Sequence, residues 1–174
     1  MPRYVAFLRG VMPTNCRMAA LRQAFEAGGF EDVKTVLASG NVVFEARKAP
    51  VATLERKVEA AILAGLGRTF DTYVRPREML QAMLDRDPFA PFRLPADAKR
   101  VVTFLRTPPV IPNLPLVLNE ARIVAVEGCE VYTTYQRGAE TPDFMKLIEQ
   151  AFGKQQTTRT WDTVRKCALA GSPT

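Results

Sequence analysis

Apolar residues along this chain follow two rhythms: short, nearly unbroken runs bounded by turn residues, and longer stretches in which they recur every three or four positions. The first rhythm marks strands, and the second marks helices that turn one face toward a core. Arg3-Tyr4-Val5-Ala6-Phe7-Leu8-Arg9 is a run of the first kind, apolar on both faces, and Gly10 and Pro13 end it. Asn15 is placed to cap a helix over residues 16–28, with Met18, Leu21 and Phe25 at helical spacing and Gly28-Gly29 as its stop. A strand over 33–37, the turn Ala38-Ser39-Gly40 and a strand from Asn41 to Glu45 come next. Pro50 opens a second helix whose inward stripe is Leu54, Val58, Ala61 and Ile62. Residues 65–67 stop it, and 69–74 read as a strand. The order is β-α-β-β-α-β, a split βαβ plan.

The rest of the chain repeats that plan less regularly. Pro76 starts a short helix with Met79, Leu80, Met83 and Leu84 on one face, and 87–95 read as a loop punctuated by Pro88, Pro91 and Pro95. After a strand over 101–105, Pro108, Pro109, Pro112 and Pro115 interrupt the place where a crossover helix belongs. Only 116–121 are left for a turn or two of helix. Residues 123–126 and Glu130–Tyr135 form a hairpin around Glu127-Gly128. Thr141 caps a helix with Pro142 and Asp143 in its first turn and Phe144, Leu147, Ile148 and Phe152 inward. Residues 156–159 read as the last strand, and Thr160 caps a terminal helix starting at Trp161. The expected fold is α+β: two ferredoxin-like (β-α-β-β-α-β) subdomains in tandem, with an added C-terminal helix. They divide as residues 1–77, a helix and Pro-rich linker over 78–98, and 99–174.

Composition narrows the chemistry more than the fold. The chain has 174 residues and no histidine, which removes every His-based triad, Cys–His pair and His metal ligand. Acid–base work would fall to carboxylates, Lys, Tyr or Cys, so a binding protein is expected ahead of a catalyst. Cys16, Cys129 and Cys167 are few and far apart, without CxxC spacing, and point to no disulfide framework, no metal site and a reducing, cytoplasmic setting. The apolar stretch 4–8 is too short for a signal peptide, and no segment is long enough to span a bilayer. The formal net charge is +6; residues 1–77 hold 12 Lys/Arg against 7 Asp/Glu, so the first half carries nearly all of the excess. Scattered singly, these charges suit a solvated face, an anionic ligand or weak nucleic-acid contact. P-loop, GxGxxG, HExxH and GxSxG motifs are absent, and no cofactor is expected.

Three stretches carry a resemblance. They are Tyr4-Val5-Ala6-Phe7-Leu8-Arg9-Gly10 with Asn15 and Met18-Ala19-Ala20-Leu21-Arg22; Gly29-Phe30 and Asp32-Val33 leading to Ala38-Ser39-Gly40-Asn41-Val42-Val43-Phe44; and Thr157-Thr158-Arg159-Thr160-Trp161-Asp162-Thr163-Val164 with Lys166. In this order they resemble the domain-of-unknown-function 1697 family. The resemblance implies a bacterial protein of two ferredoxin-like subdomains with no established activity. Many relatives read Arg-Gly-Ile-Asn-Val-Gly-Gly after the first strand. Here the loop is Arg9-Gly10-Val11-Met12-Pro13-Thr14-Asn15, without the glycine pair that would bring amides close to an anion.

Candidate binding residues gather at turns. Arg9 and Asn15 stand where the first strand hands over to the first helix, a natural place for an anion, although Asn15 as a cap accounts for it equally. Ser39 and Asn41 flank Gly40, which is expected at positive φ; they face either a polar ligand or their own turn. Arg159 and Trp161 could stack a planar ligand beside Asp162 and Lys166, or anchor the last helix. Cys16, next to Arg17 in an expected first helical turn, is a candidate low-pKa thiol, and an enzyme would use it, Asp162 or Lys166. An RNA platform would need Tyr4, Phe7 and Phe44 exposed on the first sheet, whereas the two-sided apolar pattern predicts a covered one.

Overall fold

The computed structural model describes residues 1–111, 113–136 and 143–171; the expected cap Thr141, with Pro142 and Pro112, lies outside them. Among the described residues the protein is a mixed α+β chain with two antiparallel sheets and five α-helices. The chain divides into two compact units, Met1–Ala82 with Arg165–Thr174, and Met83–Val164.

In the first unit β1 (Arg3–Leu8), α1 (Met18–Ala27), β2 (Glu31–Thr35), β3 (Asn41–Glu45), α2 (Val51–Leu66) and β4 (Thr72–Pro76) follow in the expected order. Their sheet runs β2-β3-β1-β4, with Val5 opposite Val43 on one side and Arg75 on the other. The run that looked apolar on both faces is buried on both: residues 4–8 of β1 are all at most 3% exposed. Alternate residues serve one core, where Tyr4, Ala6 and Leu8 meet Phe44, Val74 and the helix residues Leu21, Phe25, Leu54, Val58 and Ile62. Phe44 is its hub, with ring centroids 5.8 Å from Tyr4, 5.6 Å from Phe25 and 5.0 Å from Phe30. The two helices lie against each other through small residues. A Cβ on Gly65 would stand 2.7 Å from the Ala24 Cβ, and one on Gly28 would stand 2.5 Å from the Ala61 Cβ. Those pairings run in opposite directions along the two helices, so the start of α1 lies beside the end of α2.

In the second unit β5 (Lys99–Leu105), β6 (Leu116–Leu118), β7 (Ala121–Glu127), β8 (Glu130–Tyr135), α4 (Asp143–Phe152) and β9 (Gln156–Thr160) form a sheet in the order β6-β7-β8-β5-β9. Residues 116–121 correct the sequence reading: they hold no helical turn but a strand and its hairpin. Leu118 pairs with Ala121 across Asn119-Glu120, and Asn119 takes φ 53°, which a two-residue hairpin turn requires. The prolines of 108–115 leave no run long enough for a helix, so the chain adds an edge strand instead. The expected hairpin around Gly128 is present, with Gly128 at φ 58°. Leu147 of α4 packs on Leu105, Ile123 and Val131, and Phe144 stacks on Tyr135 at 4.3 Å. Elsewhere in the unit, Phe89 meets Tyr132 and Trp161 edge-on at 5.5 and 5.1 Å.

Two helices cross the division between the units. Residues up to Ala82 of α3 (Arg77–Arg86) count with the first unit, and α5 (Trp161–Ala170) joins it from Arg165 onward. Within the first unit the end of α5 is held by two guanidinium groups: Arg77 Nε donates to Ala168 O and Arg3 Nη1 to Gly171 O, each at 3.0 Å. Cations on the last carbonyls of a helix satisfy orphan acceptors and oppose its dipole.

Candidate functional site

Each sequence-predicted residue has a defined place, and most are occupied by their own loops. Asn15 is not the cap of α1. Arg17 holds that position with no side-chain hydrogen bond, while Asn15 Oδ1 accepts from Met12 N–H at 2.9 Å and its Nδ2 donates to Gly10 O at 2.9 Å. The side chain therefore closes the loop between β1 and α1. Arg9 stands at the end of β1, where its backbone N–H donates to Asp71 O at 2.8 Å.

Ser39 and Asn41 form one local unit. Asn41, fully buried, donates through Nδ2 to Val36 O and Ser39 Oγ, both at 3.0 Å. Between them Gly40 takes φ 86°, as expected, and a Cβ there would lie 2.9 Å from Val11 Cβ and 3.1 Å from Leu8 Cβ. Gly40→Ala combines left-handed strain with that collision and is expected to cost about 2–3 kcal/mol. Urea unfolding of the variant measures it; a cost under about 0.5 kcal/mol would show that the turn relaxes freely.

Arg159 and Trp161 belong to the second unit. Arg159 is 9% exposed and donates through Nη1 to Thr157 Oγ1 and Thr158 O, both at 2.9 Å. Trp161 is also 9% exposed, with Phe89 against its ring. Thr160 does cap α5, accepting from Thr163 N–H at 3.2 Å.

Cys16 is a second correction. It precedes α1 rather than sitting in its first turn, and burial pushes its thiol above the usual range, with Arg68 pulling the other way. A neutral buried thiol at neutral pH is no nucleophile. Tyr4, Phe7 and Phe44 are at most 3% exposed, so none of these rings is presented to a base. No group of three Cys, Asp or Glu side chains suited to a metal ion occurs among the described residues, nor does a helix long and apolar enough to cross a membrane.

What the antiparallel helix pair does create is a cleft of about 390 Å³ between the start of α1 and the end of α2. Thr14, Asn15, Cys16, Arg17, Leu66 and Arg68 are among its lining residues. Arg68 follows Gly67, the left-handed cap of α2 at φ 72°, and its guanidinium lies 4.5 Å from the centre of the Phe70 ring. Neither Arg17 nor Arg68 has a carboxylate partner among the described residues. Of the sequence candidates Asn15 and Cys16 border this cleft. Arg17 and Arg68 escaped notice because they are 51 positions apart, and only helix packing joins them. The available signal was their position, each flanking a helix end.

In fold the chain is similar to a conserved bacterial protein from Streptococcus pneumoniae, with a TM-score of 0.73 at 20% identity over 98% of this chain and 99% of that one. No curated protein matches it. A family model described as a protein of unknown function, DUF1697, matches residues 1–132, which takes in the first two stretches that carried the resemblance and stops short of the third. With three quarters of its length matched, the chain belongs to the DUF1697 family.

Proposed function

We propose that the protein binds a small anion, such as phosphate or a carboxylate, in the cleft between the start of α1 and the end of α2. The observation that carries this reading is the meeting of Arg17 and Arg68 in one concavity with no carboxylate partner among the described residues. The first turn of α1 adds support, since no side-chain cap occupies its N-terminus and its amides favour negative charge. Thr14 and the neutral Cys16 supply polar groups beside the two cations, Asn15 closes the loop that carries Thr14, and Leu66 gives one apolar wall. Arg9, Ser39, Asn41, Arg159 and Trp161 support this reading less, because the bonds and packing described above are local to their own turns and units.

The same reading takes both units as ferredoxin-like. The first has the strand order of that plan, and the second keeps it in β7-β8-β5-β9 with β6 added at the edge in place of the first crossover helix. A catalytic role finds less support: the buried thiol is neutral, and the cleft gathers cations rather than an acid–base pair.

Calorimetric titration with inorganic phosphate, sulfate and acetate tests the proposal. One of them is expected to bind, and Arg68→Ala and Arg17→Ala are each expected to weaken it about tenfold, the loss of one charge-assisted hydrogen bond. At ~100 times its dissociation constant, the anion should add about 2.7 kcal/mol to stability. Binding that ignores both substitutions, or no binding at millimolar anion, removes the reading.

A further inference from the structure

An edge strand presents a row of unpaired N–H and C=O groups, and any other chain can pair with them. β4 is such a strand, lying at the end of the order β2-β3-β1-β4. Its register fixes which groups face outward. Arg9 N–H donates to Asp71 O, and with Phe7 opposite Tyr73 and Val5 opposite Arg75, the ladder bonds to β1 fall on the odd-numbered residues. The backbone groups of Thr72, Val74 and Pro76 therefore point away from the sheet.

All three outward nitrogens are accounted for. Thr72 N–H donates to Glu59 Oε2 at 3.1 Å and Val74 N–H to Glu55 Oε2 at 3.0 Å, both carboxylates coming from α2. Pro76 has no N–H to offer. The outward carbonyl of Val74 accepts from Arg75 Nη1 at 2.8 Å. Glu55 and Arg75 lie 3.8 Å apart, with side chains only 4% and 7% exposed. The pair thus covers both the donor and the acceptor of Val74, as a residue of a neighbouring strand would. A similar element recurs in β9, the edge of the second sheet, where Arg159 Nη1 donates to Thr158 O at 2.9 Å. Arg75 and Arg159 are each the penultimate residue of their strand, and each strand runs straight into a ten-residue helix.

We propose that Glu55, Glu59 and Arg75 act together as a stand-in for a fifth strand, closing β4 against strand addition and preventing copies of this chain from pairing through it. The carboxylates are the working part, since they hold the amides that an incoming strand would need. A Glu55→Ala/Glu59→Ala variant therefore frees two amides spaced for an antiparallel partner.

Residue-resolved amide exchange and sedimentation of the full chain test this. In the double variant, Thr72 and Val74 amides are expected to exchange about tenfold faster or more relative to other β4 amides, and the protein is expected to self-associate as concentration rises. Glu55→Gln/Glu59→Gln, which keeps an acceptor oxygen at both places, should restore most of the protection. Unchanged protection at both amides, or a double variant that stays monomeric at the highest concentration reached, overturns the proposal. If the double variant does not fold, Glu59→Ala alone must speed Thr72 and spare Val74; any other pattern overturns it equally.

Discussion

Phe44→Ala is expected to destabilise the first unit by about 3–5 kcal/mol, the range for removing a buried aromatic ring. Phe44 is wholly buried, and three other rings pack within 6 Å of it, so truncation removes burial and three ring contacts at once. The surrounding sheet offers little room to collapse, because its strands are tied by ladder bonds on both sides of β3. Equilibrium urea unfolding followed by circular dichroism gives the loss as a lower midpoint at unchanged slope. Phe44→Leu should cost less than half as much, since it keeps most of the volume. A loss below about 1 kcal/mol for the alanine variant would mean that the ring is no hub and that the sheet repacks around the gap.

Trp161→Ala is the matching experiment in the second unit, with an expected cost of about 3–5 kcal/mol. The indole is 9% exposed, opens α5 and packs nearly perpendicular to Phe89, which in turn meets Tyr132. Removing it leaves Phe89 without one wall and strips α5 of the side chain that seats its first turn. Trp161→Phe is expected to retain at least half of the stability, because a smaller ring still fills much of the site. Were Trp161 instead a stacking platform for a ligand, the alanine variant would keep its unfolding midpoint and lose binding alone. The two outcomes separate cleanly in one denaturation curve. Trp161 is the sole tryptophan, so the native emission maximum is a companion check: a buried indole should emit at shorter wavelength than the unfolded chain.

The helices of the first unit and its strands β1 and β3 were legible because their apolar stripes are long enough to show a period, whereas β2 and β4 lie two or three residues from the expected 33–37 and 69–74. Leu54, Val58 and Ile62 announce α2, and the start and end of β3 were read to the residue. The failures have a common physical origin. A three-residue strand such as β6 is shorter than any period that could reveal it, and its hairpin turn rests on Asn119-Glu120, which is also at home in a helix. Asn15 was read as a cap because an Asn before a helix satisfies amides either in the helix or in its own loop, and only coordinates tell which. Arg17 and Arg68 carry the cleft, yet apart from flanking helix ends they look like the other scattered cations of the first half. Glu55 has a faint trace: it sits beside Leu54, three positions before Val58, where the apolar stripe would tolerate few charges. Its partner Arg75 shows none, lying in a strand 20 residues away.

The clasp on α5 bears on synthesis at the ribosome. Arg3 waits for a carbonyl 168 positions later, and Arg77 for one 91 positions later. At translation rates of about 5–20 residues per second, roughly 5–20 seconds separate the emergence of Arg77 from that of the carbonyl it grips, and roughly 8–30 seconds that of Arg3 from its own. During those intervals the nascent sheet must persist with both carbonyl contacts still unmade, and the first unit is complete only after the second has been made.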